Sequence, residues 1–233
     1  MEKLILTKTK SLELLSQGLI FLKNLDFVAI DQLTLQALPL MEAFYTIQGE
    51  GVHSGRAAYF IRLGGCDVGC HWCDVKESWD ASAHPMQPLD QIVQEALVYP
   101  ARLAVITGGE PLMYDFAPLT SALRAVGFAT HIETSGAPPL TGSWDWICFS
   151  PKKFKKPLPE ILEAAHELKV IIYNKSDFQF AEEYAKLVRP DCALLLQPEW
   201  SKQAAMLPSI VEYIKLHPDW RMSLQTHKYM NIP

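Results

Sequence analysis

Beyond residue 40, short apolar, β-branched or aromatic runs alternate with longer amphipathic stretches, the pattern of repeated β/α units. Strands are predicted near residues 41–47, 57–63, 103–106, 128–132, 146–149, 170–173 and 193–196, with a further candidate at 222–224. Helical periodicity falls between several of them, at residues 90–98, at 117–126 closed by Gly127, at 158–168, at 177–188 closed before Pro190, and at 208–216. The leucine-rich residues 1–35 form no such unit. They are read as an extension: a disordered tail, an added helix, or a segment preceding a translation start near Leu35 or Met41.

Polar clusters punctuate the pattern at the same place in successive units. Gln48-Gly49-Glu50 follows the first strand, Gly64-Gly65-Cys66 the second and Thr107-Gly108-Gly109-Glu110 the third. Glu133-Thr134-Ser135-Gly136, Ser150-Pro151-Lys152, Gln197-Pro198-Glu199 and Gln225-Thr226-His227-Lys228 follow later ones. In α/β sheets and barrels, ligands bind at the carboxyl ends of the strands. Chance would scatter such clusters over both ends, so their common placement predicts one mouth lined by all of them.

Composition narrows the class. A chain of 233 residues with 49% hydrophobic content can bury a sizeable core and is expected to form one compact domain. A formal net charge of −5 gives no electrostatic reason to expect nucleic acid. The one basic cluster, Lys152, Lys153, Lys155 and Lys156, reads by itself as a solvated loop. Five cysteines, an odd number with three crowded into eight residues, argue against a disulfide framework and for a reducing cytosol. No run approaches the roughly 18 to 20 apolar residues of a membrane span, and none carries a signal-type cleavage site. The expectation is a cytoplasmic protein that does not touch a membrane.

The segment Cys66-Asp67-Val68-Gly69-Cys70-His71-Trp72-Cys73 places three thiols at spacings of three and two intervening residues. Thiolates are soft ligands that suit iron–sulfur clusters and zinc. A 4Fe-4S cube needs four ligands, so three cysteines leave one iron open to a small molecule. Two alternatives stand beside this reading: zinc with His71 or His53 as fourth ligand, and a packed trio that binds nothing.

This spacing, with Trp72 just before the last cysteine, resembles the cluster loop of the radical S-adenosylmethionine superfamily. Thr107-Gly108-Gly109-Glu110-Pro111 is similar to the superfamily's Gly-Gly-Glu motif, which the resemblance assigns to the amino group of the cofactor's methionine. Two glycines allow close backbone approach to a ligand, and Glu110 offers an acceptor for an ammonium. The fold implied is α/β, a modified, partial TIM-type (β/α)6 barrel over residues 36–233.

The segment Phe44-Tyr45-Thr46-Ile47-Gln48-Gly49-Glu50-Gly51, the Arg62-Leu63-Gly64-Gly65-Cys66 that follows it and the ending Leu224-Gln225-Thr226-His227-Lys228-Tyr229-Met230-Asn231-Ile232-Pro233 are similar to 7-carboxy-7-deazaguanine synthases. The resemblance implies that Cys66, Cys70 and Cys73 hold the 4Fe-4S cluster. S-adenosylmethionine would be held by Trp72, Cys73, Asp74, Gly108, Gly109, Glu110, Ser135, Ser150, Pro151, Lys152, Gln197, Pro198, Glu199 and Trp200. A pterin substrate would meet Ile47, Gln48, Gly49, Glu50, Arg62, Thr107, His227 and the terminal carboxylate of Pro233. Family members often carry Thr after Cys-Asp, where its hydroxyl is associated with Mg²⁺. Val75 stands there in this chain, so Mg²⁺ takes other oxygens or is absent, with Asp74 or Glu77 as substitutes.

The activity implied is radical ring contraction of 6-carboxy-5,6,7,8-tetrahydropterin to 7-carboxy-7-deazaguanine with loss of ammonia, feeding deazapurine synthesis for queuosine. A homodimer and an electron-donor protein such as flavodoxin or ferredoxin are implied with it. A glycyl-radical activating enzyme shares the cysteine spacing but gives no reason for Gln48-Gly49-Glu50. A zinc-stapled scaffold without catalysis is the non-enzymatic competitor.

Overall fold

The computed structural model describes residues 36–233; the extension expected over residues 1–35 lies outside them. Nine strands form one sheet: β1 (Ala37–Ile47), β2 (Ala57–Leu63), β3 (Met86–Pro88), β4 (Leu103–Gly108), β5 (Ala129–Thr134), β6 (Trp146–Phe149), β7 (Glu167–Ile172), β8 (Ala193–Pro198) and β9 (Trp220–Met222). The helices are α1 (Leu89–Leu97), α2 (Ala117–Ala125), α3 (Pro159–Ala164), α4 (Ser176–Ala185), α5 (Gln203–Leu216) and α6 (Thr226–Met230). None of them is long and apolar enough to cross a membrane.

The strand order is β3-β1-β2-β4-β5-β6-β7-β8-β9. From β2 to β9 every neighbour is parallel and, apart from the short β3 that falls between β2 and β4, next in the chain, while β1 joins β2, and β3 joins β1, antiparallel. Parallel crossovers are almost always right-handed, so strands laid down in sequential order place their helices on one face. The other face becomes the inside of an open, partial barrel. This is the expected α/β architecture, with a short seventh parallel strand and no helix between β5 and β6.

Period-2 alternation separates the two faces. In β7, Leu168, Val170 and Ile172 are buried in an apolar cluster with Phe149, Ile161 and Ile210, while Glu167, Lys169 and Ile171 point inward. A second cluster, including Ile61, Leu63, Ile92, Leu119 and Leu123, packs the other half of the sheet against α1 and α2. Register carries the inward set across the sheet: Arg62 lies beside Thr107, Val105 beside His131, Glu133 beside Cys148, Cys148 beside Glu167 and Ile171 beside Gln197. A small apolar cluster of Ala58, Leu103 and Val105, with Phe60 and Ala129, lies on this inner face toward the amino ends of the strands.

Two sequence expectations are corrected. The helix expected over residues 158–168 stops at Ala164, and β7 begins at Glu167 rather than at residue 170. Leu158, Ile161, Leu162, Ala165 and Leu168 do repeat at helical spacing, but Leu168-Lys169-Val170-Ile171-Ile172 also alternates. Pairing wins there: the His166 N–H bonds the Ile147 carbonyl at 3.0 Å, and the Ile147 N–H bonds His166 Nδ1 at 3.1 Å. The helix expected from residue 208 begins at Gln203 with Pro208 inside it. Pro208 is in the second turn, so its missing N–H removes the bond that would go to the Ala204 carbonyl, and α5 runs on past it.

Candidate active site

The loop after β2 carries the cysteines and is pinned to the sheet by backbone bonds. Gly65 and Cys66 donate to the Ser78 and Trp79 carbonyls at 2.7 and 3.1 Å, Gly109 donates to Leu63 at 2.9 Å, and Glu110 donates to Gly65 at 2.8 Å. The Tyr114 hydroxyl adds a bond to the Gly64 carbonyl at 2.8 Å. Here the two glycines of the Gly-Gly-Glu motif explain themselves. Gly108 has φ +122°, and a Cβ on Gly109 would strike the Gly65 carbonyl, so only glycine lets the end of β4 lie against the cysteine loop. The sequence predicted close approach to a ligand; the structure adds close approach of backbone to backbone.

Glu110 is 2% exposed, and its carboxylate accepts from Thr134 Oγ1 at 2.5 Å, the Ser135 N–H at 2.8 Å, the Ser135 hydroxyl and the Leu112 N–H at 3.2 Å. It ties the end of β4 to the end of β5. Lys152 donates to the Ser150 carbonyl and hydroxyl at 2.6 and 2.7 Å, and lies 5.8 Å from the Trp72 ring centroid. Burial lowers the pKa of its ammonium.

A cavity of about 240 Å³ opens at the carboxyl ends of the strands. Its wall includes Cys66, Cys70 and Cys73 together with Trp72, Asp74, Val75, Thr107, Gly108, Gly109, Glu110, Ser135, Ser150, Lys152, Gln197, Glu50, Arg62 and His227. A smaller recess of about 90 Å³, lined by Ile47, Gln48, Gly49 and Pro233, shares Glu50, Thr107, Glu133 and His227 with it. The single mouth expected from the polar clusters is therefore present. Pro151, Pro198, Glu199 and Trp200 line neither cavity. Glu199 instead caps the next turn, accepting from the Ser201 and Lys202 N–H groups at 3.0 and 3.1 Å, and Trp200 packs edge-on against Tyr229.

One residue that sequence reasoning passed over, Lys169, lies at the centre of this mouth. Lys169, 3% exposed, donates from Nζ to Glu50 Oε2 and Glu133 Oε2, each at 2.6 Å. Gln225 Nε2 donates to Glu50 Oε1 at 2.9 Å and to Asp74 at 3.2 Å, and Gln48 Nε2 donates to Glu133 Oε1 at 3.1 Å. Burial opposes ionisation of both glutamates, but Lys169 beside them outweighs it and holds both pKa values below the usual carboxylate range. The signal for Lys169 was in the sequence: a lone lysine inside a β-branched strand run needs a buried partner. Arg62, on the cavity wall, lies with Nε 2.7 Å from Glu42 Oε1, an ion pair without hydrogen-bond alignment.

The carboxyl-terminal segment is docked onto the turn after β1. The Thr226 N–H and hydroxyl both donate to the Gly49 carbonyl at 2.9 Å, and the Gly51 N–H donates to Ser223 Oγ at 2.9 Å. A Cβ on Gly49 would strike the His227 ring. Asn231, at φ 52°, closes α6 in the left-handed conformation that asparagine tolerates.

The donor set decides which metal chemistry fits. Three thiols share one cavity wall, and burial pushes the pKa of Cys66 up and that of Cys70 up to about 11. Among the described residues, no group of three or more His, Cys, Asp or Glu converges on a single metal ion. Zinc asks for such convergence, whereas an iron–sulfur cluster takes one thiolate per iron. His71 packs against Phe154 and Tyr173, and His53 against His131 and Trp146. The three thiols fit a polynuclear cluster. Mg²⁺ fits less well, because Val75 offers no oxygen and Asp74 is paired with Lys228 at 2.7 Å.

Comparison with known proteins matches residues 60–189 to the radical SAM superfamily. A 7-carboxy-7-deazaguanine synthase of Flavobacterium psychrophilum is 63% identical over 198 residues, spanning 85% of this chain and 94% of the relative. The proteins of that name from Synechocystis sp. and Escherichia coli K12 are 49% and 36% identical, spanning 87% and 83% of this chain and 97% and 98% of theirs. A crystal structure of QueE from Escherichia coli superimposes with a TM-score of 0.74 at 30% identity, covering 83% of this chain and 96% of that one.

Proposed function

Because the chain belongs to the 7-carboxy-7-deazaguanine synthase family of the radical SAM superfamily, we propose that its mouth contracts the ring of 6-carboxy-5,6,7,8-tetrahydropterin to give 7-carboxy-7-deazaguanine and ammonia. The observation that carries this reading is that three thiols and the two glutamates held by Lys169 line one cavity.

Cys66, Cys70 and Cys73 would hold the 4Fe-4S cluster. Gly108, Gly109, Glu110 and Ser135 would form the wall against the methionine end of S-adenosylmethionine, and Ser150, Lys152, Trp72 and Gln197 the rest of its seat. Bound there, cluster and cofactor would supply one-electron reduction and radical hydrogen-abstraction chemistry. The chain's own residues orient the pterin and exclude water around it. Glu50 and Glu133 present acceptors to the N–H donors of the aminopyrimidinone edge. Arg62, whose ion pair with Glu42 is partly exposed, is the guanidinium on the wall that can fork onto the substrate carboxylate. His227 and Pro233 line the smaller recess, where they would meet the pterin.

Free thiols and a reducible cluster suit a reducing cytosol. A flavodoxin or ferredoxin as reductant and a homodimeric assembly belong to the same reading. Anaerobic incubation of the iron-loaded protein with S-adenosylmethionine, a reductant and the tetrahydropterin tests it. The expected product is the carboxylated deazaguanine; 5′-deoxyadenosine without any deazapurine would refute the substrate assignment.

The ammonium of Lys228 already neutralises Asp74, and Glu77 is exposed in the turn beyond it. Turnover is therefore expected to depend only weakly on added Mg²⁺. Val75→Thr should increase that dependence. A steep, saturable Mg²⁺ requirement that Val75→Thr leaves unchanged would contradict the assignment.

A further inference from the structure

Lys169 sits in the middle of β7 and joins carboxylates from two distant places, the turn after β1 and the end of β5. Each carboxylate gives one oxygen to Lys169 and the other to an amide, from Gln225 or Gln48. The two Lys-bound oxygens therefore lie no farther apart than twice 2.6 Å. The other cations nearby are engaged elsewhere: Lys152 on Ser150, Lys228 on Asp74 and Arg62 on Glu42. The remaining titratable groups around the trio are Cys148 on β6, His131 on β5, Glu167 on β7, His227 on α6, His53 in the turn after β1 and Asp74 after the cysteine loop. Burial keeps Cys148 a neutral thiol and His131 a neutral imidazole, and it raises the pKa of Glu167. Among the described residues, Lys169 is the cation in contact with both glutamates.

We propose that Lys169 is the positioning residue that sets substrate selectivity, by holding Glu50 and Glu133 side by side as two acceptors that admit only a ligand edge made of N–H donors. The inference rests on the pterin reading above. A carboxylate offers about four lone-pair sites. With one taken by the lysine and one by an amide, each glutamate keeps room to accept from an aminopyrimidinone. Without the lysine, two adjacent carboxylates cannot both ionise easily, so one retains a proton. That proton then faces a ligand donor. Binding of a donor edge becomes weak at low pH and recovers as pH rises through the elevated pKa of the pair. With Lys169 present, both glutamates are already ionised and affinity is flat.

The test is equilibrium binding of 7-carboxy-7-deazaguanine, which carries the same aminopyrimidinone edge and does not turn over. It is measured on cluster-loaded protein with S-adenosylmethionine and no reductant, between pH 6 and 8.5. The unmodified protein should bind with constant affinity. Lys169→Met should bind about tenfold or more weakly at pH 6 and regain affinity toward pH 8.5. Since Lys169→Met leaves the two buried carboxylates without their cation, Lys169→Met/Glu133→Gln is the companion; it lacks the like-charge pair and should fold and bind weakly. Lys169→Met with normal iron content and the flat, tight profile of the unmodified protein would overturn the inference alone, as would tight binding by the companion. Failure of the unmodified protein to bind the deazaguanine would overturn the pterin reading, and this inference with it.

Discussion

Cys66, Cys70 and Cys73 share one wall of the mouth, whereas Cys192 is buried in the apolar core and Cys148 faces the polar interior. Replacing any one of the trio by Ala is expected to abolish both iron retention and turnover, because two thiolates cannot hold a cluster in a fixed orientation. Iron analysis after anaerobic reconstitution checks this, with Cys192→Ala as the control that keeps its iron. A free cysteine in an apolar strand behaves as a small hydrophobe. That holds for Cys192; Cys148 is as deeply buried but sits between Glu133 and Glu167 in the strand register. A second prediction concerns His131. It is 1% exposed, neither ring nitrogen has a hydrogen-bond partner, and burial first of all lowers its pKa to about 3. Its 3.9 Å approach to Glu133 is therefore not an ion pair at neutral pH. A folded-state pKa below the unfolded value of about 6.5 means stability present above that pH and lost as pH falls toward 3. His131→Leu should reduce the fall in Tm between pH 7.5 and pH 5. An unchanged fall would show that other groups carry the acid sensitivity.

At the scale of elements, the site depends on two unusually close approaches. The end of β4 lies against the cysteine loop through Gly108 and Gly109, and α6 lies against the turn after β1 through Gly49. Gly109→Ala forces the loop backbone to move and is expected to cost at least roughly 1 to 3 kcal/mol. Because the displaced segment is the cysteine loop, iron content should fall in the folded protein as well; normal iron in Gly109→Ala would show that the loop adapts. Chain ends commonly fray. This one is held by Thr226 and closed by Asn231, and Pro233 reaches the smaller recess. A short tag appended after Pro233 is therefore expected to weaken substrate binding roughly tenfold or more, the cost of losing one polar partner that bound substrate would bury. Tagged and untagged protein compared at matched iron content measure it, and equal affinity would reduce the terminus to a tail.

Across the whole molecule, the sheet divides stability from chemistry. Neighbouring residues of β7 point to opposite faces, so Leu168→Ala and a change at Lys169 should fail differently. Leu168 is fully buried in the outer core, and its truncation is expected to lower unfolding stability by about 2 to 5 kcal/mol. The folded fraction should keep its iron and its substrate affinity. Loss of affinity in folded Leu168→Ala would mean that the two faces are not independent. Much of this layout was legible in the chain itself. Alternating runs located the strands over residues 57–63 and 146–149, and the polar clusters after successive strands announced one mouth. The cysteine spacing specified soft metal ligands, because ligand type and local spacing are properties of a few adjacent residues. What local pattern does not hold is register and approach between distant segments. Whether residues 165–168 would continue a helix or begin a strand was settled by pairing with β6. The glycines of Thr107-Gly108-Gly109-Glu110 were recognisable, but their contact partner, Gly65, was not. Lys169 looked like an anomaly in an apolar strand until the sheet brought Glu50 and Glu133 to it, since a buried charge is explained only by the partners that folding delivers.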